Sequence, residues 1–505
     1  MRNKWSPGVI VVLLASALAV AGCSAAPLAG NTPGAAPATS DTLSIGSLYE
    51  PANLSNTGAG GQGVTEALTG NVYESLLKLN DDGTISNLLA DSYKVSDDGL
   101  TYTFTLHPGV KFHSGRALVA SDVKASFERV VAADSQAARK GSYAIVDSVT
   151  APDDTTVVFK LKSRSISFAY LMSYVWVVNP EVTDFKTTVD GTGPYKFDDW
   201  QRGSTMSLSR FDGYWGQPAK TAKVTFHYFT DASALGNALL SGDIDLITSV
   251  QSPDSLTQFE NNKDFTISTG TSTTKELLAF NDRVKPFNDA RVRQALYSAI
   301  DRTKLLDAIW AGRGLVIGSM VPPTDPWYED LVSLNPYDPN RSKSLLAEAG
   351  YANGLSFTLL TPNYDPHPTV AEFVKSELAK IGVTVDIKII TSDQWSSQVF
   401  QKRDFQATLQ EHVNDRDVVW YANPDFYWGY NNAQVQKLVA QSETAATPQA
   451  QADLLKQANR IIAGEAASLW FYLYPQIVVA KSTVTGYPIN GLNSQFYLYN
   501  ITKAA

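Results

Sequence analysis

A single cysteine in 505 residues, Cys23, sets the first limit on this chain. No internal disulfide, thiolate metal site or cysteine nucleophile can form, so the fold must be held by packing alone. Cys23 closes the run Leu18-Ala19-Val20-Ala21-Gly22-Cys23, behind Arg2, Lys4 and an apolar stretch from Val9 to Val20. A charged start followed by a short apolar segment is the layout of a secretory leader, too short to span a bilayer comfortably. Residues 1–22 are therefore expected to be a signal peptide. Residues 23–41, mostly Ala, Gly, Pro, Ser and Thr, are expected to be a flexible tether, because they cannot bury enough surface to fold.

Without the leader 483 residues remain, enough for two or three domains with proper cores. Arg2 and Lys4 leave with the leader, so the formal net charge of −9 becomes −11. An acidic chain without a basic run has no electrostatic footprint for nucleic acid and no patch for an anionic membrane. Small residues before a lone cysteine resemble the bacterial lipoprotein signal. That resemblance implies cleavage before Cys23, a diacylglyceryl anchor on its thiol, and a location on the outer face of the cell membrane or in the periplasm.

Local patterns predict a mixed α/β chain with more than one sheet. Tyr102, Phe104 and Leu106 alternate with Thr and then meet Pro108-Gly109, a strand closed by a turn. Thr155 to Leu161 is a second β-branched run. Between them Ser121 is expected to cap a helix carrying Val123, Phe127 and Val130 on one side. From Asp289, Val292, Ala295, Leu296, Ala299 and Ile300 fall at helical spacing, with Arg291, Arg293 and Arg302 off the stripe. Ser344 to Ala349, stopped by Gly350, is another short helix. Leu355–Leu360, a helix over Thr369–Ile381 and Val383–Ile390 form a βαβ unit, which predicts parallel pairing. No fixed-period repeat is present, which excludes a solenoid or propeller.

The order of short motifs is more specific. Val72-Tyr73-Glu74-Ser75-Leu76, Leu89-Ala90-Asp91-Ser92, Asp97-Asp98-Gly99-Leu100-Thr101-Tyr102, Gly109-Val110-Lys111-Phe112-His113-Ser114-Gly115 and Ala120-Ser121-Asp122-Val123 follow one another in sequence. Gly191-Thr192-Gly193-Pro194-Tyr195, Tyr214-Trp215-Gly216, Phe280-Asn281, Pro286-Phe287-Asn288-Asp289-Ala290-Arg291 and Tyr337-Asp338-Pro339 continue the series. Together they resemble family 5 of the bacterial extracellular solute-binding proteins, the peptide- and nickel-binding components of ABC importers. The resemblance implies a two-lobed periplasmic-binding-protein fold, α/β, with an extra domain inserted in the first lobe. Domain I would be assembled from 42–83, 193–272 and 468–505, domain II from 84–192, and domain III from 273–467. It also implies a monomer that captures a peptide, most simply an oligopeptide, by hinge closure and passes it to a permease with ATPase subunits. No cofactor or metal is implied. An oligosaccharide or a nickel chelate in the same fold is the alternative, and a secreted hydrolase the distant one.

Site candidates come from the same resemblance. Asp404-Phe405-Gln406-Ala407 matches the strand entering the family's cleft, which places Asp415 where peptide-binding members grip the ligand's α-ammonium. Glu411-His412 replaces the usual Gly-Trp, and the Asp-Pro pair downstream is missing. Thr361-Pro362-Asn363 lacks the arginine of dipeptide-binding members, which favours longer peptides. Trp420 and Trp428, from the densest aromatic cluster, are expected to touch ligand. Asn281 is expected to bond a peptide backbone, and His412 to contact a chelate or carboxylate. Catalysis has little support: Ser121 to Lys124 fits a loose Ser-x-x-Lys, but Lys-Thr-Gly, Ser-Asp-Asn and Gly-x-Ser-x-Gly are absent. The five histidines show no metal-ligand spacing.

Overall fold

The computed structural model describes residues 40–504 except 59, 60, 138 and 186. The leader, Cys23 and nearly all of the tether lie outside the described residues.

A single large sheet runs through both lobes. Its first half carries, in order, Tyr195–Gln201, Thr205–Arg210, Lys223–Tyr228, Thr42–Ser47 and Leu246–Ile247. Two long strands, Ser468–Lys481 and Phe265–Phe280, cross to the second half, where Ala407–His412, Leu355–Pro362 and Val383–Ile390 complete it. Leu355–Pro362 pairs with Val383–Ile390 in parallel over its whole length, as the βαβ pattern requires. The intervening helix, His367–Ala379, starts two residues earlier than its apolar spacing suggested.

Three apolar cores fill the described residues. One gathers Leu43, Ile45, Tyr73, Tyr195, Val224, Phe226 and Leu498 from three distant segments in the first half of the sheet. A second, separate core lies under the antiparallel sheet ordered Ala90–Val95, Thr101–Leu106, Thr156–Leu161 and Val146–Thr150. Tyr102, Phe104 and Leu106 point inward with Val157, Phe159 and Leu161, so the period-2 reading holds here. Helix Ala120–Val131 covers this face with Val123, Phe127 and Val130. Ser121 is not its cap: the helix begins at Ala120, and Asp122 accepts from the Val119 backbone N–H at 3.0 Å. The largest core fills the second lobe and continues into Leu235–Phe259. Its aromatic heart is Trp428 stacked on Tyr421 at 4.2 Å, with Trp470 edge-on at 5.7 Å from Tyr421. Such pairs contribute about 0.5–1.5 kcal/mol each beyond their buried area.

Asp289 caps helix Ala290–Ser298 by accepting from the Arg291 N–H at 2.9 Å. Ala299 and Ile300, predicted on its stripe, lie just past its end. Arg293 and Arg302 are buried although they lie off that stripe. Arg293 donates to the carbonyls of Phe287, Ala466 and Glu465, and Arg302 to those of Ile317, Val332 and Asn335. Each guanidinium thus satisfies several backbone carbonyls at once. Among the described residues no helix is long and apolar enough to cross a membrane.

Candidate functional site

The crossing strands open the site. Their pairing runs in register from Phe265 and Lys481 to Thr271 and Pro475, breaks, and resumes with Lys275 opposite Leu473. Such a break kinks a strand and turns its side chains away from the ladder. Ser272 and Thr274, inside the break, line a narrow cavity between the lobes together with Tyr49, Glu66, Trp310, Glu411 and Tyr474. A larger cavity of about 470 Å³ adjoins it, walled by Gln62, Arg139, Tyr174, Glu411, Asp417, Trp420 and Asn493 among others. That volume lies within the roughly 300–1,000 Å³ typical of small-ligand pockets.

The lobes touch directly beside this space. Asp415 is buried, and its Oδ1 accepts from Tyr170 Oη at 2.5 Å, Asn493 Nδ2 at 2.9 Å and Tyr174 Oη at 3.1 Å. Arg139 and Arg416 stand 3.7 Å from its two oxygens. The Arg416 guanidinium lies over the Tyr170 ring at 3.5 Å. Farther along, Ser165 and Ser167 both donate to the Glu443 carboxylate at 2.9 Å.

Of the five predicted ligand contacts, Trp420 lines the larger cavity, stacked on Phe426 at 5.1 Å and donating to Asp417 at 3.2 Å. His412 sits behind that wall, between Tyr427 Oη at 3.0 Å and Asp417 at 3.5 Å. Asp417, two residues beyond Asp415, stands on the wall itself together with Glu411. Burial alone would raise its pKa, but Lys275 and His412 hold it below the usual carboxylate value. Asn281 and Trp428 are placed elsewhere. Asn281 donates to the carbonyls of Arg403 and Phe405 inside the second lobe, and Trp428 is wholly enclosed in its aromatic core.

Several site residues escaped the sequence reading. Lys275 is fully buried, donating to the Asn414 carbonyl and lying 3.5 Å from Asp417. Glu66 is buried against the Ser47 hydroxyl at 2.6 Å, and burial pushes its pKa up to about 7. Burial likewise lifts Glu411 to about 7 and Glu276 to about 8, the latter opposed by the Tyr474 hydroxyl. The available signal was a charged Lys275-Glu276 pair set directly before the apolar run Leu277–Phe280. Among the described residues no group of three or more His, Cys, Asp or Glu is placed to hold a metal ion.

These shifts predict a pH profile. Glu276 and Asp282 reach about 8 in the fold, both through burial, against ordinary values of 4.5 and 3.8. The folded chain keeps these protons longer, so their stabilising contribution is full at low pH and is lost as pH rises through about 8. Burial lowers His113 and His367 to about 4 from 6.5, so their contribution is lost as pH falls toward 4. Thermal stability should therefore peak on the acidic side of neutrality and fall by several degrees by pH 9. Glu276→Gln should flatten the alkaline limb; an unchanged limb would contradict the assignment.

The family model described as "Bacterial extracellular solute-binding proteins, family 5 Middle" matches residues 84–417, well over half the chain. The glutathione-binding protein GsiB of Salmonella typhimurium is 29% identical over 460 residues, covering 84% of this chain and 87% of that protein. Among solved structures, the ABC transporter substrate-binding protein CtaP of Listeria monocytogenes superposes with a TM-score of 0.82 at 24% identity, covering 93% of this chain and all of that one (100%). The oligopeptide-binding protein AppA of Bacillus subtilis, solved with a nonapeptide, gives 0.77 at 23% identity, covering 92% and 97%. The fold they share is the two-lobed periplasmic-binding fold, and the motif order, the cleft and the family match converge on one statement: this chain belongs to family 5 of the bacterial extracellular solute-binding proteins.

Proposed function

We propose that this protein is the lipid-anchored capture component of an ABC importer, taking peptides into the interlobe cleft and presenting the closed form to a permease. Domain I would comprise 42–83, 193–272 and 468–505, domain II 84–192, and domain III 273–467. The observation that carries the proposal is the break in the two crossing strands. It leaves the polar side chains of Ser272 and Thr274 at a cavity lined from both lobes, where an extended peptide can be met by hydrogen-bonding groups and side-chain pockets. AppA, of the same fold, was solved in complex with a nonapeptide, and GsiB is named for glutathione. Hinge closure needs only that ligand contacts favour the closed state. No step in this function calls for a catalyst.

The test is thermal stabilisation of mature protein that has been unfolded and refolded to strip its ligand. Peptide at 100 times its dissociation constant should stabilise the fold by about 2.7 kcal/mol. Stabilisation by oligosaccharides or nickel chelates but not peptides would transfer the assignment to those ligands. Peptide cleavage beyond one equivalent would make the protein an enzyme.

The anchor is tested separately. Cys23→Ala should release the protein from membranes, since among the described residues no helix is long and apolar enough to hold it there. Full retention of that variant on the membrane would refute the anchor.

A further inference from the structure

The narrow cavity differs in chemistry from the rest of the cleft. Glu66, from the first lobe, and Glu411, from the second, line it together, and no lysine or arginine does. Among the described residues the Glu411 side chain has no hydrogen-bond or ion-pair partner, whereas Glu66 accepts from the Ser47 hydroxyl and Asp417 faces Lys275. Aromatic rings complete the enclosure: Tyr49, Trp310 and Tyr474.

The sheet beneath supplies a second, independent observation. Glu276 pairs directly with Glu411 on one side and with Tyr472 on the other. Directly paired residues share a face, so Glu276 and Tyr472 project to the side on which Glu411 lines the cavity. Both are completely buried, and both Glu276 Oε1 and Tyr472 Oη lack any partner. Two carboxylates directly opposite each other cannot both ionise without repulsion, and a buried carboxylate oxygen without a donor is costly. A cation arriving from the cavity would relieve both. The room is small, about 40 Å³. One water occupies roughly 10–15 Å³ by that measure, so only the head of a side chain fits.

We propose that this deep end of the cleft is a subsite for an organic cation, the guanidinium or ammonium head of the captured ligand, held between Glu66 and Glu411 and flanked by the rings of Tyr49, Trp310 and Tyr474. Carboxylates supply charge-assisted hydrogen bonds, and aromatic faces attract the same cation through their quadrupoles. A planar guanidinium suits both contacts and leads over an ammonium. The subsite names a substrate class for the cleft proposed above, and it rests on that assignment.

Calorimetric titration with Ala-Arg-Ala, Ala-Lys-Ala, Ala-citrulline-Ala and agmatine tests it, because citrulline keeps the shape of arginine without its charge. The arginine peptide should bind at least about 10-fold tighter than the citrulline peptide. Glu411→Gln should reduce arginine-peptide affinity by about 10- to 100-fold and citrulline-peptide affinity several-fold less, with an unaltered unfolding transition showing that the variant is folded. A lysine peptide as strong as the arginine one supports a point charge in the subsite, and a weaker one supports the planar head. Equal affinity for arginine and citrulline peptides overturns the subsite and leaves peptide capture standing. Agmatine bound while all three peptides fail supports the subsite and overturns peptide capture. Failure of all four probes overturns the subsite, as does any loss in Glu411→Gln that is equal for charged and neutral peptides.

Discussion

Replacing Asp415 by Asn is expected to weaken binding of peptides with a free N-terminus by roughly 30-fold to several-thousand-fold, the about 2–5 kcal/mol that follows loss of one side of a buried charge pair. The substitution keeps the shape of the side chain and removes its charge. In the structure that charge faces Arg139 and Arg416, both 3.7 Å away, and accepts from Tyr170, Tyr174 and Asn493. One Asp415 oxygen, Oδ2, is buried without a hydrogen-bond partner, which leaves an acceptor for a ligand ammonium once the network shifts. Two mechanisms predict different patterns. If Asp415 grips the α-ammonium, N-acetylated peptides should bind the variant and the parent protein equally. If Asp415 serves instead to join the lobes, free and acetylated peptides should lose affinity alike, because closure itself is weakened. An unchanged affinity for both would remove Asp415 from either role.

Lys275→Met should be the most destabilising single change around the cleft, by about 3–5 kcal/mol, since it leaves a buried carboxylate without its cation. Lys275 is fully buried and faces Asp417 at 3.5 Å, while methionine fills similar volume without the ammonium. Asp417 would keep the Trp420 indole at 3.2 Å, His412 at 3.5 Å and the weaker pull of Arg139. The cost is one of uncompensated charge and not of lost packing, so Lys275→Met combined with Asp417→Asn should recover more than half of it. Thermal unfolding of the single and double variants checks this as a coupled pair. A single variant as stable as the parent would show that the pair is solvated in solution.

Local signals carried much of the fold. The Thr101–Leu106 and Thr156–Leu161 strands follow from period-2 burial, and the Leu355–Ile390 unit from strand, helix and glycine in series. The Asp289 cap is equally local, a carboxylate accepting from the N–H two residues on. Site residues were harder because their partners are remote. Lys275 and Asp417 are 142 positions apart, and Tyr170 and Asp415 are 245. No periodicity over 10 or 20 residues can report such a pair. Asn281 and Trp428 illustrate the converse: their side chains suit a ligand chemically, but the segments that carry them point into the second lobe.

The sequence by itself determined the absence of disulfides, the leader and anchor pattern, the α/β alternation and the ordered motifs of the family, because each is written in adjacent residues. Only the tertiary structure decided which charges face one another across the cleft. Lobe contact brings Glu66 to Glu411, and a break in strand register turns Ser272 and Thr274 outward. The energy of a charge depends on the dielectric and the partners around it, and those are set by which distant segments the folded lobes bring together.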